Sequence, residues 1–276
     1  MNVLSKFDLS NNIALVTGGA GLLGLQHCEA LLEAGSKVVV LDVDQDAIKK
    51  CEEIFSPKYI DRLYLIKTDI TSEEEIISAK KSIYKKFNAF PSILINNAAI
   101  DAKYENSNKI NATRLEDFDL DQWNMEVSVG LSGAFLCSKH FGTEMAKAGK
   151  GVILNISSDL GLIAPSQFLY NDDKLPKERQ TVKPVTYSVI KHGLIGLTRY
   201  ISTYWSRDGV RCNAMAPGGV FNDHDEKFKD ELSKLIPMGR MANIDEYKAT
   251  IVYMCSDASS YMNGSIISID GGRTGW

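Results

Sequence analysis

No apolar run in this chain approaches the roughly 20 residues that a membrane-crossing helix needs. The first eight residues, from Met1 to Asp8, lack a basic stretch followed by an apolar core, so neither an anchor nor an export signal is expected. The expected location is the cytoplasm. Cysteine is sparse and shows no pairing pattern: Cys28, Cys51, Cys137, Cys212 and Cys255 are scattered, odd in number and without metal-ligand spacing. They read as buried thiols in a reducing compartment, and no metal site is expected. An excess of basic charge is missing too. With 31 Lys and Arg against 35 Asp and Glu the net charge is −4, which gives no electrostatic case for binding nucleic acid or an anionic membrane. Internal repeats and domain linkers are also absent. What remains is 276 residues of ordinary globular composition, 44% hydrophobic, enough for one large α/β domain spanning residues 1–276.

The most informative local stretch lies near the start. Ile13-Ala14-Leu15-Val16-Thr17 is a short apolar run that reads as a buried strand, and Gly18-Gly19-Ala20-Gly21-Leu22-Leu23-Gly24 follows at once, opening a helical stretch to about Ala34. A strand, a glycine turn and a helix N-terminus in that order make a site for a pyrophosphate, because the free N–H groups and the helix dipole favour an anion. The next strand, from Lys37, ends at Asp42, 42 − 18 = 24 residues after the first turn glycine. A carboxylate there accepts both ribose hydroxyls of an adenosine and repels a 2′-phosphate, which argues for NAD over NADP. Asp42 also fits a loop start or a helix N-cap, a role open to Asp44 as well.

Strand and helix continue to alternate. Residues 63–66, 93–95, 151–156, 210–216 and 266–269 read as strands, and residues 73–87, 120–148 and 244–255 as helices. Repeated βα units with apolar strands imply a Rossmann-like, doubly wound parallel sheet with helices on both faces, and function at the carboxyl ends of the strands. One irregular insertion, about residues 162–183, is rich in charge and carries Pro165 and Pro176.

Tyr187-Ser188-Val189-Ile190-Lys191 opens an apolar run at helical spacing (Val189, Ile190, Leu194, Leu197, Ile201), with Pro184 suited to the first turn. Residues four apart share a helix face, so the Tyr187 hydroxyl and the Lys191 ammonium can enter one cleft. A free phenol has a pKa of about 10; a neighbouring ammonium stabilises the phenolate and brings it toward neutral pH, which suits proton transfer. The pattern is common, however, and Tyr170 with Lys174 repeats it. Taken alone, either pair also fits a solvated helix face.

These pieces, in this order, resemble the short-chain dehydrogenase/reductases along essentially the whole chain: residues 17–24, Asp42, Asp69, Asn96-Asn97-Ala98-Ala99, Asn155-Ile156-Ser157-Ser158, Tyr187 to Lys191, Asn213-Ala214-Met215-Ala216-Pro217-Gly218 and Asp270-Gly271-Gly272. The resemblance implies that Tyr187 is the acid-base residue, that Ser158 orients the substrate oxygen, and that Lys191 binds the nicotinamide ribose while acidifying Tyr187. It implies a cofactor running from the turn (Gly18, Gly21, Leu22, Leu23, Gly24) past Asp42, with Asp69, Ile70, Asn97 and Ala98 near the adenosine side. Pro217, Gly218, Val220 and Asn222 would hold the nicotinamide end. Tyr170 lies 170 − 158 = 12 residues after Ser158, near the usual family distance, and Tyr187 lies 187 − 158 = 29 after it. Yet Asn171, Asp172, Asp173 and Pro176 make a poor helix interior around Tyr170. The helix after Lys191, by contrast, is expected to run through Gly196-Leu197-Thr198-Arg199 into Arg211-Cys212-Asn213. The family pattern therefore selects Tyr187.

Four positions depart from that pattern. Leu22 stands where the common short form has glycine, a spacing similar to the extended, nucleotide-sugar-modifying branch. Ala99 ends a motif that usually ends in glycine, Asn222 replaces a threonine, and Gly130 falls where a proton-relay asparagine often sits, so no fourth catalytic residue is inferred. Residues 195–222 and 270–276 are most similar to the flagellin modification protein A oxidoreductases of bacterial amino-sugar pathways. The primary expectation is an NAD-dependent oxidoreductase of a polar, sugar-like substrate in surface-glycan or flagellin modification, assembled as a homotetramer or homodimer. A nucleotide-sugar epimerase or dehydratase, and a cofactor-binding regulatory or scaffold protein with weak catalysis, are the alternatives. The insertion is expected to be a substrate lid, with a subunit contact or an exposed ornament as the other possibilities.

Overall fold

The computed structural model describes residues 2–100, 113–171, 175–222 and 224–276. In chain order it runs β1 (Ile13–Thr17), α1 (Leu22–Glu33), β2 (Lys37–Asp42), α2 (Gln45–Tyr59), β3 (Leu63–Lys67), α3 (Glu73–Phe87), β4 (Ile93–Asn96), α4 (Leu120–Val127), α5 (Gly133–Ala148), β5 (Gly151–Ile156), α6 (Val185–Tyr204), β6 (Val210–Pro217), α7 (Glu226–Lys234), α8 (Lys248–Cys255) and β7 (Ile266–Ile269). The strands form one seven-stranded sheet in the order β3-β2-β1-β4-β5-β6-β7, and every pairing is parallel. The order reverses between β1 and β4, which opens a crevice at the carboxyl edge beside the glycine turn.

Sheet residues alternate between two apolar layers. Ala14, Val16, Val38 and Val40 pack with Cys28, Leu31 and Met254 on one side, and Leu15, Val39, Leu41 and Leu94 pack with Ile76, Phe141 and Ile201 on the other. Strands buried on both faces explain why β1, β4 and the middle of β2 read as continuous apolar runs. All five cysteines lie within these layers, unpaired. Burial pushes the thiols of Cys51, Cys137, Cys212 and Cys255 up to about 12, so they are inert at neutral pH. His27, on the inner face of α1, is fully buried, and neither ring nitrogen has a partner among the described residues. No described helix is long and apolar enough to cross a membrane, and no group of metal-ligating side chains occurs among the described residues.

Several boundaries differ from the sequence expectation. Residues 120–148 are not one helix: a π-helical turn, Ser128–Ser132, separates α4 from α5. Gly130 sits in that turn, and a Cβ there would meet Ile190 Cγ2 of α6 at 2.7 Å. The position thus has no room for an asparagine unless the Ile190 side chain gives way. The helix that carries Tyr187 and Lys191 does not run on into residues 211–213; α6 stops at Tyr204, and Gly209, at φ 76°, turns the chain into β6. Residues 244–247 form turns ahead of α8. The helices α2 and α7 stand where the sequence expectation has no element. Asp44, not Asp42, caps α2, its Oδ1 accepting from the Asp46 and Ala47 N–H groups at 2.8 and 3.1 Å.

Candidate active site

The glycine turn links β1 to α1. Gly18 takes a left-handed φ of 59°, and a Cβ on it would lie 2.8 Å from the Ala98 Cα. Gly21 is the N-cap of α1 and supplies no side-chain acceptor, so the first N–H groups of the helix, on Leu22 and Leu23, are left without a side-chain cap. An anion-binding helix start set in a groove too tight for side chains fits the pyrophosphate of a dinucleotide. The chain braces this turn from two sides. Asp42 at the end of β2 accepts the Ala20 N–H on Oδ2 and the Asp44 N–H on Oδ1, both at 3.1 Å. Asn97 after β4 donates from Nδ2 to the carbonyls of Thr17 (3.1 Å) and Gly18 (3.0 Å), while Thr17 Oγ1 accepts from the Asn97 and Ala98 amides.

The other residues expected at the cofactor line the same edge. Asp69, just past β3, accepts the Thr71 N–H and hydroxyl at 2.8 and 2.7 Å, and Ile70 packs against Gly133. Beyond β6, the Gly218 N–H donates to the Ile269 carbonyl at 2.9 Å, and the buried Tyr247 hydroxyl donates to the Gly218 carbonyl at 3.2 Å. Val220 bridges to Ala242, and the Asn222 N–H meets His224 Nδ1 at 3.2 Å.

The side chains expected to handle the proton stand on α6 and just beyond β5. Pro184 is the residue before α6, so Tyr187 and Lys191 occupy successive turns of one face. Lys191 is only 6% exposed; its Nζ donates to the Ile156 carbonyl at 2.9 Å and lies 5.7 Å from the Tyr187 ring centroid. The Ser157 hydroxyl donates to the Lys191 carbonyl at 2.8 Å, and Gly161 is packed so closely that a Cβ would meet the Lys191 oxygen at 2.9 Å. The Ser158 loop is therefore fastened to the Tyr187–Lys191 turn. Ser158 itself is buried and donates its hydroxyl to Asp159 Oδ1 at 2.7 Å.

Tyr170 stands elsewhere. It ends a 3-10 turn, Gln167–Tyr170, and its ring packs 5.7 Å from Phe228 of α7, beside Leu169, Leu232 and Met241. Lys174, Asp172 and Asp173 lie outside the described residues. The insertion is tied down on two sides. Lys227 Nζ of α7 donates to the Asn171 carbonyl at 3.2 Å. The Val182 N–H donates to Thr113 Oγ1 at 3.0 Å, and Arg114 Nη1 donates to the Lys177 carbonyl at 3.1 Å. Segments that follow β4, β5 and β6 are thus joined over one end of the sheet.

Three features escaped the sequence reading. Lys183, in the insertion, places Nζ 4.0 Å from the Tyr187 ring centroid, a second cation at that phenol. Glu126 of α4, buried, accepts the Thr186 hydroxyl and so ties α4 to the first turn of α6. Asp159 pairs with Arg273, whose Nε lies 3.0 Å from Oδ2, although 273 − 159 = 114 residues separate them. The signals available beforehand were the position of Asp159, next to Ser158, and that of Lys183, four residues before Tyr187.

A family model described as Enoyl-(Acyl carrier protein) reductase matches residues 20–274. Among curated proteins, a 3-oxoacyl-(acyl-carrier-protein) reductase of Aquifex aeolicus is 30% identical over 274 residues, covering 97% of this chain and 99% of that one. A galactitol 2-dehydrogenase (L-tagatose-forming) of Cereibacter sphaeroides is 29% identical over 283 residues, covering 100% of both. Among solved structures, a gluconate 5-dehydrogenase from Burkholderia cenocepacia in complex with NADP and tartrate superposes with a TM-score of 0.84 at 26% identity, again covering 100% of both chains.

Proposed function

The chain belongs to the short-chain dehydrogenase/reductase family, and from that premise we propose an NAD-preferring oxidoreductase that acts on a carbinol or carbonyl carbon of a sugar-like substrate. The observation that carries the reading is the pairing of Tyr187 and Lys191 on one face of α6, with Lys191 Nζ fastened to the last residue of β5. When bound, the nicotinamide supplies the acceptor or donor of a hydride at the substrate carbon. Tyr187 takes the proton from the substrate hydroxyl in oxidation and returns it in reduction. Lys191 stabilises the phenolate form of Tyr187, and Ser158 hydrogen-bonds the substrate oxygen. Gly18, Gly21 and Gly24 with the start of α1 would hold the pyrophosphate, Asp42 the adenosine ribose, and Asp69, Ile70, Asn97 and Ala98 the adenosine side. Pro217, Gly218, Val220 and Asn222 would line the nicotinamide end.

Relatives named for galactitol and gluconate dehydrogenation favour a small, polar, hydroxyl-rich substrate and an oxidoreductase over an epimerase. A role in flagellin or surface-glycan modification rests on the resemblance of residues 195–222 and 270–276 to that sub-family, and assembly as a homotetramer or homodimer on the family resemblance. The first experiment is an absorbance screen of nicotinamide reduction and oxidation across polyols, aldonates, and free, phosphorylated and nucleotide-linked amino sugars. Cofactor binding without turnover on every class would favour the regulatory reading.

Asp42 makes the cofactor choice testable. A carboxylate facing a 2′-phosphate costs several kcal/mol, so kcat/KM with NAD is expected to exceed that with NADP on the order of 100-fold. Asp42→Ser should narrow the ratio. Equal or better use of NADP by the native protein would sink the assignment.

The insertion, as the lid, supplies substrate contacts. Replacing residues 172–180 with a short Gly-Ser linker is expected to lower kcat/KM for the true substrate at least about 10-fold, the effect of losing about 1.4 kcal/mol of binding in the transition state. NAD affinity and oligomeric state should be retained. Unchanged kinetics would return the segment to an exposed ornament, and loss of assembly would make it a subunit contact.

A further inference from the structure

We infer that Arg273, three residues from the end of the chain, is a positioning residue for Ser158, acting through Asp159. The inference rests on the reading of Ser158 as the residue that meets the substrate oxygen. Its basis is a buried chain of polar contacts. Ser158 donates to Asp159 Oδ1 at 2.7 Å, and the same Oδ1 accepts the Leu160 N–H at 2.8 Å. The second oxygen, Oδ2, lies 3.0 Å from Arg273 Nε. Ser158, Asp159 and Arg273 are each at most 5% exposed. The Arg273 contact is one of charge more than of hydrogen-bond alignment, and Nη1 has no partner among the described residues.

A carboxylate this deep is held ionised only by a matching cation. Desolvation raises the Asp159 pKa, while Ser158, Arg273 and the Leu160 N–H act against it, and Asp270 adds a repulsive charge. Tyr247 also faces the pair, its phenol pushed up by burial first and then by Asp159. Arg273 is the cation set against this acidic group. It holds Asp159 as an acceptor, and Asp159 fixes the rotor of the Ser158 hydroxyl. The C-terminal segment is folded so as to deliver the guanidinium there. Asp270 accepts the Gly272 and Thr274 N–H groups and the Thr274 hydroxyl, and Gly272 turns at φ 91° directly before Arg273.

Without Arg273, Asp159 would take up a proton at higher pH and release Ser158 from its set orientation. Misplacing a reacting group by about 1 Å costs on the order of 100-fold, so Arg273→Met should lose about that factor in kcat while the Kd for NADH stays near the native value. Its acid limb in the kcat/KM profile should move to higher pH. Arg273→Lys, which keeps the charge, should recover most of kcat and the native limb. The double variant Arg273→Met with Asp159→Asn removes the titrating group, so its acid limb should return to the native position. An unmoved limb in Arg273→Met, with only a lower Tm, would reduce Arg273 to a packing residue and overturn the inference, as would native kcat. Should Arg273→Met fail to fold, Arg273→Gln, which removes the charge and keeps a polar side chain, carries the test: a lower kcat and an acid limb moved to higher pH support the inference, and native kcat with an unshifted limb overturns it. Ser158→Ala separates the two levels. Full activity of Ser158→Ala would refute the underlying role of Ser158, whereas an inactive Ser158→Ala beside an unaffected Arg273→Met would refute the positioning role alone.

Discussion

Tyr187→Phe is expected to lower kcat by about 10²- to 10⁴-fold, the range for removal of a positioned acid-base group, and to leave NADH binding close to native. The substitution deletes one oxygen and keeps the ring that Lys183 and Lys191 approach at 4.0 and 5.7 Å. The hydrogen bond from the Ser157 hydroxyl to the Lys191 carbonyl and the hold of Lys191 Nζ on the Ile156 carbonyl are untouched. Loss of turnover would therefore report the missing proton carrier and not a shifted helix. Tyr170→Phe is the matched control. That ring is packed against Phe228 and the Leu169 cluster, so the variant should turn over within a few-fold of native. Single-turnover kinetics with saturating cofactor read both. An inactive Tyr170→Phe beside an active Tyr187→Phe would mean that the proton carrier stands in the insertion and not on α6.

Gly24→Ala is expected to have the next largest effect, on cofactor binding and folding together. The new Cβ would lie 2.2 Å from the Gly18 carbonyl oxygen and 2.7 Å from the Gly19 Cα. Both are backbone atoms of the turn itself, so relief requires moving α1 away from β1 and opening the groove proposed for the pyrophosphate. Overpacking of this kind costs about 1–3 kcal/mol or more. Expressed in binding, that is about 5- to 150-fold weaker NADH. Expressed in stability, it is a fall of about 2–4 °C in Tm per kcal/mol for a chain of 150–250 residues, and less for a longer one. Gly196→Ala calibrates the measurement. Gly196 is in mid-helix and exposed, with nothing within 4 Å of a Cβ, so alanine should stabilise by roughly 0.5–1 kcal/mol. Fluorescence titration with NADH and thermal melts distinguish the outcomes. Native affinity and Tm in Gly24→Ala would show that the turn has slack.

How much of this can be read from the sequence depends on the range of the interaction. The sheet is legible because each buried parallel strand carries its own signal: Ile13 to Val16 is apolar, and the strand is buried along its whole length to Thr17. The glycine turn is legible because its geometry is set within seven residues. Helix α2 is harder to read: it starts behind an Asp44 that competes with Asp42 as the cap, and it contains Pro57. The π-helical turn at Ser128–Ser132 has no local sequence code. It goes with Gly130 packing against Ile190, a contact between helices 190 − 130 = 60 residues apart. The same holds at the site. Tyr187 and Lys191 announce themselves by a four-residue spacing, but the pairing of Asp159 with Arg273 becomes visible only when the segments after β5 and β7 lie side by side, and that of Glu126 with Thr186 only when α4 packs against α6.

The unpartnered imidazole in α1 limits how acid an environment the fold tolerates. Burial lowers the pKa of His27 from its ordinary 6.5 to about 3, because nothing in the surrounding apolar layer can meet its charge. Above pH 6.5 neither the folded nor the unfolded chain holds this proton, and His27 leaves stability unchanged. Between 6.5 and 3 the unfolded chain binds it and the folded chain does not, so acidification draws the equilibrium toward unfolding at about 1.4 kcal/mol per pH unit. By pH 5 this one side chain removes about 2 kcal/mol, a sizeable part of the roughly 5–15 kcal/mol that holds a domain together. Denaturant midpoints that fall from pH 7 to pH 5 in the native protein, but less steeply in His27→Leu, would trace that proton uptake to the helix that carries the glycine turn; equal slopes would assign it elsewhere.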